Sequence, residues 1–527
     1  MPTLTAPTRS ASTLPDMAPE LDPRLPIIVG TGQIMIRDAS TEPLEPADLM
    51  AEALRLAEAD SGGRGLLAQA DQVLTVSELS WRYRNPALAV AERIGASPRR
   101  LATSVVGGNL AGVMVARAAA DIQAGAADVV VITGGEATRT RSRLRKAGLE
   151  PQWSTQSEDI APPESIGDQR PLVNETESAR GLQMPIHIYP LFEVALRARL
   201  GLTVDQHIER IGSLWSAFSD VSATNPNAWI RTPLSGPEIT TPSAENRMIT
   251  WPYTKRLCSN NQVDQGAAVL ITSVAAAERA GVPRDRWVFL HAGAEAVDHW
   301  NISNRVDLCS SPALRVAGRD VYALAERGPE DISYFDLYSC FPSAVQIGAI
   351  ELGLIRDSDV SGTGWGGIGA SRPLTVTGGM TFAGGPYNNY VTHGLATMVD
   401  TLRSDSGAFG LCTANGGFTT EHAVVIASAT PPATGAFRYS NPQAEVDALP
   451  RVESDDTWTG EVTIESAAVV FDDVPTHALV ATRTPDGQRS WGRSTDTDFM
   501  NAAMTTELVG MRAQRSAEGT IAFDECN

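Results

Sequence analysis

One arrangement of residues occurs twice in this chain. Around residue 100 it reads RRLATSVVGGNLAGVMVARAAADIQAGAADVVVITGGEA, and around residue 375 it reads PLTVTGGMTFAGGPYNNYVTHGLATMVDTLRSDSGAFGLCTANGGFTT. Each copy is an apolar β-branched run, a Gly-Gly corner, a helical stretch, a short turn with Gly, a second apolar run and a closing Gly-Gly corner. The corners are Gly107-Gly108 and Gly134-Gly135 in the first copy, Gly384-Gly385 and Gly416-Gly417 in the second. A duplicated strand–helix–strand unit restricts the fold to α/β architectures with two similar halves. Corners at the ends of buried strands are where such folds bind ligands. Two copies therefore predict two half-sites facing one pocket.

The same alternation extends on both sides. Residues 26–36 read as a buried strand, and 46–60 place Leu49, Met50, Ala53, Leu54 and Leu56 at helical spacing. Strands are expected at 72–77, 101–106 and 128–133, with helices at 86–95 and 110–124. This order predicts a mostly parallel sheet covered by helices. From 137 to 250 the pattern dissolves into Pro, polar residues and short helices at 191–200 and 204–218, an excursion from the core. Regular structure resumes at 265–273. The second copy then runs from Trp287 through helices at 311–327, 342–353 and 388–403 and strands at 332–337, 373–377, 408–413 and 422–428. A Pro-Pro linker at 430–436 ends it. Beyond the linker, alternating runs flank a Pro485-Asp486-Gly487 turn, the pattern of a hairpin, before a helix-like stretch near 497–511.

Composition narrows the function. The 527 residues carry 62 acidic and 42 basic side chains, a net charge of −20. Nucleic-acid binding needs a basic footprint and is not expected. Charges such as Arg117 and Asp121 interrupt the apolar stretches, so no membrane span is predicted. Residues 1–24 are rich in Pro, Ser and Thr but lack an apolar core, and read as a disordered tail rather than a secretory signal. Five widely spaced cysteines point to a reducing, cytoplasmic compartment. No histidines stand at metal-ligand spacing, so no metal or redox cofactor is predicted. Gly364-Trp365-Gly366-Gly367-Ile368-Gly369 fits G-x-G-x-x-G but follows no strand and opens no helix, so it reads as a loop rather than a dinucleotide fingerprint.

Over roughly residues 26–430 the motifs resemble the thiolase superfamily. GNLAGVMVARAAADIQAGAADVVVITGGEA is similar to the stretch that follows the thiolase nucleophile. Leu411-Cys412-Thr413-Ala414-Asn415-Gly416-Gly417 resembles C-x-G-G-G-x-G, and Gly378 to Pro386 resembles G-G-x-x-x-x-G-H-P. Tyr338-Ser339-Cys340-Phe341 resembles the H-D-C-F motif of sterol-carrier-protein thiolases. The thiolase-like protein type 1 group, with an additional C-terminal β domain, is the resemblance within the superfamily. It implies an α/β duplicated thiolase fold of two mixed-sheet halves, an inserted loop domain and a small C-terminal all-β barrel. The expected division is a first half at 25–136 and 251–286, a loop domain at 137–250, a second half at 287–430 and the β domain at 437–527.

The resemblance also locates what is missing. The family's nucleophilic Cys falls on Gly108, its G-H-P histidine on Gly385, and its third-motif His and Asn on Tyr338 and about Ala344. Covalent acyl transfer needs a thiolate and an activating base, which glycine does not supply. Backbone N–H groups at the corners remain as oxyanion donors. The candidate catalytic residues are Cys412, His393, Tyr338 and Tyr387. Gly108, Gly385, Asn389 and Ala414 are the candidate coenzyme A contacts, and Lys255 and Arg256 are candidate phosphate contacts. Each has a plainer reading: Cys412 and Cys340 as inert thiols, His393 as a packed helix residue, Tyr338 as core, Asn388 as a helix cap. Glu421-His422 forms an acid–base pair only if both side chains point inward, and strand neighbours face opposite sides. The implied ligand is acyl-CoA as substrate, and the expected state is a monomer or a homodimer. Three functions follow: an acyl-CoA-handling protein of acyltransferase type without thiolase activity, a non-catalytic acyl-CoA or acyl-carrier binding module, or a retro-aldol lyase acting on β-hydroxyacyl-CoA.

Overall fold

The apolar runs that alternate with helices become the strands of one large sheet. A computed structural model describes residues 21–38, 43–355 and 372–523. The expected tail up to residue 20 and the loop at 364–369 lie outside them. In chain order the strands are β1 (Pro26–Met35), β2 (Gln72–Thr75), β3 (Arg100–Ser104), β4 (Val129–Ala137) and β5 (Glu164–Ile166), then β6 (Met248–Thr250), β7 (Tyr253–Thr254) and β8 (Asp264–Ser273). The second copy supplies β9 (Val288–Val297), β10 (Tyr334–Asp336), β11 (Phe409–Gly416), β12 (Glu421–Ser428) and β13 (Arg438–Ser440). The main sheet has the order β10-β11-β12-β9-β1-β8-β4-β2-β3-β5, with β13 beside β9.

The duplication is written into this order. Outward from the β1/β9 junction, each half repeats two antiparallel pairings and then a parallel one: β1-β8-β4-β2 and β9-β12-β11-β10. Two residue pairs, Ile27↔Phe289 and Ile28↔Val288, join the halves. The sheet is thus mixed rather than mostly parallel. β12 follows β11 across the turn at 417–420, too short for the crossover a parallel pair requires. The repeat helices Leu110–Gln123 and Tyr390–Ser404 touch each other and strands of both halves.

The run at 373–377 is not a strand. Asp336 captures its polar groups instead, accepting from Val376 N (3.2 Å), Thr375 Oγ1 (2.8 Å) and Thr377 Oγ1 (3.2 Å). Leu337 N still donates to Leu374 O at 2.9 Å, so the segment lies where β3 lies in the first half. The helix expected at 191–200 begins earlier, at Pro185, and runs to Arg199 with Pro190 inside it. Pro185 stands in the first turn, where its missing N–H has no intrahelical partner to lose.

The C-terminal residues form a second, antiparallel sheet. Its strands are β14 (Gly460–Asp472), β15 (Val474–Arg483), β16 (Arg489–Ser494), β17 (Arg512–Arg515) and β18 (Ile521–Ala522). The hairpin about 485–487 pairs Arg483 with Arg489. A bridge between Arg493 and Thr520 brings β16 against the approach to β18. β6, from the inserted stretch, pairs with β14 through Thr250 and Val470. Helix Pro185–Arg199 also packs on β14, and Ser466 Oγ donates to Leu191 O at 2.7 Å. Among the described residues no helix is long and apolar enough to cross a membrane.

Candidate functional site

The Gly107-Gly108 corner and the segment just after the Gly384-Gly385 corner meet at a cavity of about 310 Å³, whose lining includes neither Gly385 nor Asn389. Gly107 and Gly108 form one wall, and Tyr387 and Asn388 of the second copy form the facing one. Tyr338, Cys340 and Phe341 enter after β10, and Asn415, Gly417 and Phe418 come from the end of β11. The inserted helix adds Pro185, Ile186 and Tyr189, and the approach to β8 adds Cys258, Ser259 and Asn261. Among the described residues, no Asp, Glu, Lys, Arg or His lines it.

The second corner is stitched to the first half by its asparagines. Asn388 accepts from Gly107 N (3.1 Å) and donates Nδ2 to Ser77 O (2.8 Å). It does not cap the following helix. Asn389 donates Nδ2 to Gly134 O (2.7 Å), while its Oδ1 has no partner. Gly385 N donates to Asn260 O at 2.9 Å. The amides of Gly107 and Gly385 are therefore already bonded within the protein.

Gly108 lines the cavity, and the space its side chain would need is filled. A Cβ there would lie 2.5 Å from the Asn415 carbonyl oxygen and closer still to Tyr338 Oη. Position 385 is roomier, with the nearest atom, Asn261 Oδ1, at 3.0 Å from such a Cβ. Tyr338 is held by its N–H on Thr413 Oγ1 (2.8 Å) and by edge-on contact with Tyr390. Burial, and secondarily Cys340, pushes its phenol well above the usual value, so it stays a protonated donor at neutral pH.

The other candidates are dispersed. Tyr387 lines the cavity in the left-handed region, φ 45°. Burial and then Glu136 raise its phenol, while Asn261 bonds it. Cys412 pairs in register with Asp336 and Val425 under the cavity floor rather than lining it. Burial, then Asp336, raises its thiol far above the ordinary range. His393 points toward β1, its Nδ1 2.8 Å from Gln33 Oε1, and burial lowers its pKa to about 3. Ala414 is buried beside Gly112, outside the lining. Cys340 does line the cavity, but burial pushes its thiol up to about 12. Glu421 and His422 are not bonded to each other and lie away from the 310 Å³ cavity. Both line a separate cavity of about 600 Å³, and His422 Nε2 meets the buried Ser311 Oγ at 2.9 Å. Arg256 is turned to Glu238 O at 2.9 Å.

One wall residue, Tyr189, and one buried carboxylate behind the wall, Glu136, escaped sequence reasoning. Tyr189 Oη accepts from Asn415 Nδ2 (3.2 Å) and Thr419 N (3.1 Å), and its ring stacks on Phe341 at 4.6 Å. It therefore fixes the turn that closes β11. Glu136, at the end of β4, accepts from Leu79 N (2.7 Å) and Ser80 N (2.9 Å), and burial raises it to about 7. The residue after Gly134-Gly135 is a carboxylate, and that was its only mark in the sequence.

Known proteins bear on this geometry. The family model for the thiolase C-terminal domain matches residues 294–429, and that for the thiolase-like protein type 1 additional C-terminal domain matches 442–520. The chain superposes on a monomeric SCP2-thiolase-like protein type 1 from Mycobacterium smegmatis with a TM-score of 0.79 and 29% identity, covering 96% of this chain and 100% of that one. An Ltp2-ChsH2(DUF35) aldolase shares the fold at TM-score 0.56 and 21% identity, covering 76% of this chain and 98% of that one. An acetyl-CoA acetyltransferase from Methanocaldococcus jannaschii is 24% identical over 274 residues, 51% of this chain and 61% of that relative's length. The second-half match, the additional C-terminal domain and the near full-length superposition agree: the chain has the thiolase fold, with a thiolase C-terminal-like domain at 294–429 followed by the additional C-terminal domain of thiolase-like protein type 1 at 442–520.

Proposed function

We propose that this chain takes the thioester end of an acyl-CoA into the cavity between its two halves and does not pass through a cysteine acyl-enzyme. The observation that carries this reading is at position 108, where Tyr338 Oη and the Asn415 carbonyl fill the room a nucleophile would need. The neighbouring chemistry agrees. The cavity's thiols at Cys258 and Cys340 are both pushed up to about 12, so neither supplies a thiolate at neutral pH. The protonated phenol of Tyr338 supports hydrogen bonding to the thioester carbonyl oxygen. The four described cysteines are free thiols, which fits a reducing, cytoplasmic setting.

The test is binding and turnover of acetyl-CoA and acetoacetyl-CoA by the full chain. Acetyl-CoA should raise the unfolding temperature, acetoacetyl-CoA thiolysis should be absent, and intact-mass spectra should show no acyl adduct. An adduct, or thiolysis abolished by Cys412→Ala, would overturn the reading. Of the three tyrosines on this cavity Tyr189 is tied to the turn after β11, and the other two, Tyr338 and Tyr387, favour a second reading as a retro-aldol lyase on β-hydroxyacyl-CoA. Mass spectrometry over a panel of such esters separates lyase from binding module: shortened acyl-CoA products identify the lyase, and unchanged esters the module.

A further inference from the structure

Most arginines of this acidic chain meet a carboxylate, as Arg93 meets Asp48, Arg286 and Arg403 meet Asp60, and Arg315 meets Glu351. A cluster of exceptions lies beside the helix after β4. The helix Thr138–Lys146 reads TRTRSRLRK, with five basic residues and no acid. Arg82 and Arg84 stand close to it on the loop after β2. No ion pair is formed by Arg82, Arg84 or Arg141 within the described residues; Arg84 donates to the Ile160 carbonyl and Arg141 to the Leu79 carbonyl.

These three arginines, all exposed, line a cavity of about 970 Å³. Leu79 and Val106 belong to its wall and also to the wall of the 310 Å³ cavity, so the two adjoin across an apolar sill. Both sill residues are exposed, at 42% and 51%. The acids that face the larger cavity do not cancel its charge. Glu164 is paired with Arg100, and Glu136 is bonded to two amides. Glu78 has one buried oxygen without a partner, and burial raises its pKa to about 8, leaving it a neutral acid at pH 7. Asp159 lies near Arg84 and is bonded by Ser157.

We propose that Arg82, Arg84 and Arg141 hold the phosphate-bearing tail of coenzyme A in this larger cavity while the pantetheine arm crosses the Leu79–Val106 sill into the smaller one. The inference rests on the acyl-CoA reading above and deepens it. A cavity of 310 Å³ is at the small end for ligand sites and leaves the nucleotide outside it. Guanidinium groups not already paired recognise phosphate oxygens through charge-assisted, often bidentate hydrogen bonds. The exposed apolar sill matches the uncharged pantetheine arm. This route passes the Leu79–Val106 edge rather than Lys255 and Arg256, neither of which lines either cavity.

The test is calorimetric titration of the full chain with coenzyme A and with pantetheine, at low and at physiological salt. Wild type should bind coenzyme A about tenfold or more tightly than pantetheine, an advantage that shrinks as salt rises. The double variant Arg82→Gln/Arg141→Gln should lose that advantage while its pantetheine affinity stays unchanged, which also shows that the variant is folded. Equal affinities for the two ligands in wild type would overturn the proposal, as would a double variant that keeps full coenzyme A affinity. Loss of affinity with Arg256→Gln and not with the double variant would overturn the proposal and move the tail to the Lys255–Arg256 segment. Failure of wild type to bind either ligand would instead remove the acyl-CoA reading beneath it.

Discussion

At position 108 even a methyl group has nowhere to go. Gly108→Cys, which restores the family residue, should yield no thiolysis and should cost about 1–3 kcal/mol in denaturant unfolding, because Tyr338 and the Asn415 backbone must both give way. Tyr338→Phe should leave stability near wild type and weaken acetyl-CoA binding by roughly 0.5–1.5 kcal/mol, the worth of one hydrogen bond, read by calorimetry. Glu421 gives a pH prediction. Burial, then Asp168, raises its folded pKa to about 7, against the ordinary 4.5. Its contribution is therefore fully present below about pH 4.5 and lost as the pH rises through 7. Glu421→Gln should match wild type at pH 4.5 and exceed it at pH 8 by on the order of 2 kcal/mol in chemical denaturation. Residue types were legible at this scale and their directions were not. Cys412 and His393 sit in recognisable motifs, yet the β11 register sends one thiol under the floor, and helix phase turns the imidazole to Gln33. Tyr189 carries no local signal at all, since its role depends on the distant turn it bonds.

At the scale of elements, β5 closes the first half. Residues Glu164–Ile166 pair in parallel with β3, covering the edge that leads to Gly107 and Gly108. A covered edge has no unpaired ladder to offer a second copy. The chain should run as a monomer in size-exclusion chromatography with light scattering. Ser165→Pro, which removes a ladder donor, should shift it toward dimers or aggregates; a variant that stays monomeric would count against β5 as the protecting element. Nothing in the sequence marked β5, a short strand in a stretch rich in proline and polar residues. The long strands and both repeat helices were legible because apolar period and Gly corners agree there. The run at 373–377 misled because its β-branched residues fit a strand equally well, and only the buried Asp336 decides otherwise.

At the scale of the whole molecule, the C-terminal sheet is a buttress rather than an appendage. Arg489, fully buried, pairs with Glu465 (2.6 Å) and donates to the carbonyls of Ile302 (2.8 Å) and Arg305 (2.6 Å). Trp491 Nε1 donates to Ser303 Oγ at 2.8 Å. Arg489→Ala leaves Glu465 with Arg483 alone and strands the buried carbonyls of Ile302 and Arg305, and should lower stability by about 3 kcal/mol in thermal or denaturant unfolding. The hairpin here was legible from its Pro-Asp-Gly turn. Its docking was not, because the partners are main-chain carbonyls of another region. The seating of helix Pro185–Arg199 on β14 has a consequence for how the protein is made. Leu191 waits for Ser466, 275 residues further along the chain. On the ribosome the roof helix emerges long before the sheet that holds it, so its apolar face stands bare through most of translation, and that interval is when a chaperone would meet this chain.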